Sequence, residues 1–86
     1  MSATERLHAL TEFLRERASQ EEQSGQYAAA AEDRVICEVV RGVAERHQDA
    51  GYSDGCTGCH ERYGLPFDFP CVEVEAWLPL ASLLLN

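Results

Sequence analysis

Four cysteines (Cys37, Cys56, Cys59, Cys71) and three histidines (His8, His47, His60) are the side chains here suited to soft-metal or thiol chemistry. Cys56 and Cys59 belong to the run CTGCH at 56–60. Such a run can attach a c-type haem, carry thiol–disulfide exchange, or supply half of a zinc site. Zinc in a structural site takes four thiolate or imidazole ligands in a tetrahedron, so two further ligands are required. Cys71 is the natural third, since it follows Pro70 at the expected start of a helix, where the dipole favours a thiolate. His47 is the preferred fourth, closing a long helical pattern just before the Cys-rich segment. His60 remains the alternative, although a residue adjacent to Cys59 points away from it. Cys37 lies ten residues before His47, roughly 15 Å along a helix axis, which is too far to share an ion with it. The expected metal set is therefore His47, Cys56, Cys59 and Cys71, with zinc as cofactor.

The competing chemistries fit less well. Haem attachment belongs to exported chains, and Met1 is the only methionine, so a distal Met ligand is lacking. Thiol redox chemistry expects the Cys-x-x-Cys at a helix start beside a strand, whereas YSDG and HERYGLP flank it here. Catalysis at the metal needs an open coordination position and a base. Glu61 and Asp54 could supply a base, but four protein ligands close the site, so no enzymatic activity is expected. Read for packing alone, Cys37 is a buried small hydrophobe, His8 an exposed helix residue and His60 a loop residue or outer hydrogen-bond donor.

These ligands must be positioned by a chain of 86 residues, which makes a single small domain that benefits from a cross-link. A mainly α architecture is expected: a helical hairpin over 1–48, a Cys/Gly-rich loop over 49–70, and a C-terminal helix over 71–86. The first helix runs from Ser2 to about Glu22. It opens on the capping-box spacing Ser2-x-x-Glu5 and carries Leu7, Leu10, Leu14 and Ala18 on one stripe beside Phe13. Ser24-Gly25 breaks it. A second helix spans about Gln26 to about Gln48, with Tyr27, Ala31, Ile36, Val39, Val40 and Val43 as its apolar stripe and Gly51 as a stop signal. A short link makes the pair an antiparallel hairpin. The 49–70 stretch, with Gly51, Gly55, Gly58 and Gly64, shows no helical period and needs something to organise it. Gly58 is read as easing a tight turn of the knuckle. Val74, Trp77, Leu78 and Ala81 share one side of the last helix, which Pro79 is expected to kink or split.

Charge narrows the function classes. The net charge of −8 argues against phosphate binding, which needs clustered cations, and all seven cations are arginine. No signal-peptide pattern opens the chain, and the apolar stretch AWLPLASLLL is too short to cross a bilayer. Both features lead to a cytoplasmic expectation, where thiols stay reduced and cysteines serve as ligands. The apolar excess of the last segment has two readings, a surface for an unknown protein partner or a homodimer, and completion of a three-helix core, with no direct nucleic-acid or membrane contact expected. A different expectation from the same charge is an acidic phage or host inhibitor that occupies a basic nucleic-acid-binding surface.

The pieces RVICEVVRGVAERH at 34–47, CTGC at 56–59 and FPC at 69–71 resemble a group of small uncharacterised His/Cys zinc-binding-like proteins of actinobacteria and their phages. The likeness covers about the second half of the chain plus the hairpin plan. It implies a His-Cys-Cys-Cys zinc site and a cytoplasmic or phage setting, and it implies no activity. The insert HERYGLPFDFP between the second and third of these cysteines is longer than is usual in that group.

Overall fold

The computed structural model describes residues 2–49, 55–64 and 69–85. Gly51 and Asp54, singled out above as a helix stop and a candidate base, lie outside them. Among the described residues there are four helices and no strand: α1 (Ala3–Gln23), α2 (Tyr27–Arg46), α3 (Thr57–Tyr63) and α4 (Val72–Leu85). None of them is long and apolar enough to cross a membrane.

Helix α1 starts where the sequence says it must. Ser2 accepts from the Glu5 backbone N–H at 3.1 Å, and Glu5 accepts from the Ser2 N–H at 3.4 Å, which closes the capping box. Leu7, Leu10, Leu14 and Ala18 are buried along its inner stripe. At the other end Gly25 takes a left-handed φ of +80° and reverses the chain within a few residues. Cross-links between α1 and α2 run antiparallel. Cys37 Sγ donates to the Thr11 carbonyl at 3.3 Å, Arg17 grips Asp33 with two bonds of 2.8 Å, and Arg34 pairs with Glu22.

The α2 face turned to the core is the expected one at Ile36, Val40 and Val43 and differs from it elsewhere. Ala30, Asp33, Cys37, Val40, Val43 and Ala44 are buried. Tyr27 keeps 70% of its surface exposed and Val39 45%, and Ala31 is exposed with them. The helix carries apolar residues around much of its circumference, so the stripe alone did not fix the rotation. Asp33 can be inside because Arg17 neutralises it across the hairpin. Cys37 is a buried small hydrophobe, as read from sequence, and His8 is exposed.

Helix α4 packs mainly on α1 and less on α2. Val74 and Ala81 are buried, with Trp77, Leu78, Leu80 and Leu84 packed on the core from its edge. The helix continues from Val72 to Leu85 through Pro79 rather than splitting. Pro79 lies on the exposed side, as does Glu75, whose carbonyl loses its helical donor there and can turn to water. A further departure from expectation is α3, a two-turn helix in a stretch without helical periodicity. Cys56 precedes it and Gly64, at φ +71°, ends it.

Candidate metal centre

Three chain segments converge at the open end of the hairpin. His47 is the residue at which α2 ends, its N–H still bonded to the Val43 carbonyl at 2.9 Å. Cys56 caps the start of α3, Cys59 lies in its first turn, and Cys71 immediately precedes α4. The structure brings these four together: one ligand atom from each of His47, Cys56, Cys59 and Cys71 lies within 4.8 Å of the others. His47 turns Nδ1 to the sulfurs, at 3.2 Å from Cys56 Sγ, 3.5 Å from Cys71 Sγ and 3.7 Å from Cys59 Sγ. His47, Cys56 and Cys71 are buried, whereas Cys59 retains some exposure. The alternative ligand, His60, is exposed on α3 and outside this cluster.

Local bonds explain why α3 sits where it does. Thr57 Oγ1 donates to the Arg46 carbonyl at 3.2 Å and accepts from the Gln48 N–H at 3.0 Å, while the Thr57 N–H donates to the Gln48 carbonyl at 2.8 Å. One hydroxyl thus satisfies two backbone groups left over where α2 ends. An isolated antiparallel bridge between Asp49 and Cys56 adds to the clasp. Gly58 has a role other than the tight turn expected of it. It is helical, and a Cβ there would lie 2.3 Å from the Arg46 carbonyl oxygen and 2.9 Å from His47 Nδ1. Its missing side chain lets α3 touch the end of α2, which carries the sulfurs to the imidazole.

Glu73, in the first turn of α4, is a participant that sequence reasoning missed. Its Oε2 stands 2.5 Å from His47 Nε2, where the imidazole donates its N–H. That bond fixes the tautomer with the Nδ1 lone pair facing the sulfurs, the arrangement metal-bound histidines share. The only trace in the sequence is an acidic residue two places after Cys71, which is not distinctive. Thr57 was equally invisible, as an ordinary residue inside the Cys-x-x-Cys.

The electrostatics favour a cation among the sulfurs. Burial, then the hydrogen bonds and charges of Cys56 and Cys71, push the Cys59 thiol up to about 12. Several thiolates this close repel one another in a medium that solvates them poorly, and a divalent cation between them reverses both penalties. The residues present therefore fit a metal ion: soft donors, an oriented imidazole and an outer carboxylate.

Fold and site together define a small, mainly α protein with a candidate His/Cys metal centre joining the ends of its helices. No family model, no curated protein and no solved structure matches the chain.

Proposed function

We propose that this chain is a zinc-stabilised helical protein-binding module. The observation that carries the zinc assignment is the spacing of the donors. A tetrahedral ion with Zn–S of about 2.3 Å and Zn–N of about 2.0 Å sets N···S edges of about 3.5 Å. The three N···S distances of 3.2, 3.5 and 3.7 Å bracket that value. Three thiolates and an imidazole suit a borderline-soft, redox-silent ion, and four protein ligands close its coordination shell. Such a site supplies folding free energy on the order of 10 kcal/mol and organises a segment with few apolar contacts of its own. Because the shell is closed, we assign the centre a structural role and no enzymatic turnover. A thiolate site persists where thiols stay reduced, which supports a cytoplasmic setting.

The binding role is supported by apolar surface that the fold does not consume. Tyr27, Ala31, Val35 and Val39 recur every four residues along α2 and are all exposed, with Val35 at 63%. Leu83, 77% exposed, adds a second apolar point on α4. The partner is another protein chain with an apolar face, or a second copy of this one. Contacts of that kind tolerate salt; steep salt dependence would instead favour the acidic inhibitor of a basic surface.

Metal analysis of the purified chain, paired with a chelator melt, tests the central claim. One zinc per chain and a lower melting temperature after chelation are expected. A metal-free chain that melts identically with and without chelator would overturn it.

A further inference from the structure

We propose that Cys59 Sγ is a modification site: the metal-bound thiolate that accepts the alkyl group of a small carbon electrophile. The inference rests on the zinc reading above and adds a reactivity to it.

Access separates the three sulfurs. Cys56 is fully buried and Cys71 is 6% exposed, whereas Cys59 is partly open. Two clefts flank the centre. The larger, about 700 Å³, runs along Gln48, Thr57, Gly58 and Glu61 and reaches His47 but no sulfur. The other, about 450 Å³, is lined by Cys59, Cys71, Tyr63 and Val72 together with the charged Arg62, Glu73 and Glu75. A molecule entering it meets both apolar and charged side chains, and of the two cysteines lining it Cys59 is the more exposed.

The donor set makes that sulfur nucleophilic. A divalent ion held by three thiolates and a neutral imidazole leaves the centre with one net negative charge, spread over the sulfurs. In the step, a Sγ lone pair attacks the electrophilic carbon. The S–C bond forms as the bond from carbon to its leaving group breaks, and the leaving group departs with the electron pair. No proton moves, because metal binding has already displaced the Cys59 proton. The product is a thioether at a neutral centre, and the chain accepts one alkyl group without turnover.

The test uses the full chain reconstituted with one equivalent of zinc, its metal content measured first. Substoichiometric iodoacetamide is then added, and the adduct is located by peptide mass mapping. Cys59 should be labelled at least about tenfold ahead of Cys37, Cys56 and Cys71. In a cobalt(II)-loaded sample, labelling should reduce the sulfur-to-metal charge-transfer absorbance by about one third, as one of three thiolates becomes a thioether. First labelling at another cysteine, or a loaded chain in which every cysteine stays unmodified, overturns the inference and leaves the zinc reading standing. A chain that takes up no zinc ends both. Wild-type mapping decides the matter without relying on a variant that must fold.

Discussion

His47 Nε2 lies 2.5 Å from Glu73 Oε2, while Nδ1 of the same ring faces three sulfurs. One imidazole therefore joins the end of α2 to the start of α4 on one side and to the Cys cluster on the other. Glu73→Gln keeps the size of the side chain but removes the charge that orients and enriches the ring. Because Glu73 is half exposed, metal affinity should fall towards the lower end of the range for such partners, about tenfold. Competition against a chromophoric chelator measures this, and an unchanged affinity would remove Glu73 from the site.

The two histidines near the knuckle should separate cleanly. His47→Ala deletes a donor at the centre and should weaken metal binding by more than about 100-fold. His60→Ala changes an exposed side chain outside the cluster, and the same competition should show no effect. Equal losses in both variants would contradict the arrangement.

Two glycines give opposite expectations for the same substitution. At Gly58 an added Cβ meets backbone, the Arg46 carbonyl oxygen at 2.3 Å, so α3 must move off the end of α2. Gly58→Ala should destabilise the loaded chain by about 1–3 kcal/mol. At Gly42 the nearest atom is Nη1 at the tip of the flexible Arg46 side chain, 2.9 Å away, which can swing aside. Gly42→Ala should then stabilise α2 by about 0.5–1 kcal/mol through helix propensity. Thermal melts of the two variants check both signs.

The triad of Arg17, Glu21 and the buried Asp33 sets a pH dependence. Hydrogen bonding to Arg17 holds the Asp33 carboxyl below the usual range, despite its burial. That contribution is present above the ordinary Asp range and is lost as pH falls through the depressed value. Proximity to Asp33, and then burial, push Glu21 up, and its Oε1 is buried without a hydrogen-bond partner. Its contribution has the opposite sign, present below the ordinary Glu range and lost as pH rises. Glu21→Gln supplies a permanent donor to Asp33. It should raise the melting temperature at neutral pH, with the gain shrinking on acidification. Asp33→Asn should cost about 1–2 kcal/mol at neutral pH, a figure reduced because the Arg17 side chain is 38% exposed. Melts across pH 3–8 would expose an error in either sign.

Exposed valines on α2 test whether that row serves the fold. Val35→Glu should change the melting temperature by no more than the shift from about 0.5 kcal/mol, since Val35 touches solvent rather than core. It should abolish any self-association seen by sedimentation velocity. A large loss of stability would mean that the row is structural.

What the sequence determined by itself was local or combinatorial. The Ser2–Glu5 capping box and the leucines of α1 are settled within a turn or two of chain, and the structure shows both. The four residues of the candidate cluster were legible because few residue types can hold a soft cation, and because spacing along α2 removed Cys37. Tertiary structure decided the rest. Apolar residues surround much of α2, so only packing against α1 selects Ala30, Asp33 and Cys37 over Tyr27, Ala31 and Val39 for the core. Helix α3 owes its place to bonds with the end of α2 and to the clearance at Gly58, neither of which leaves a period in the sequence. Glu73 becomes the partner of His47 only because α4 starts beside the end of α2. A local pattern can be read from one segment, whereas which segments meet is fixed by the burial and charge pairing of the whole chain at once.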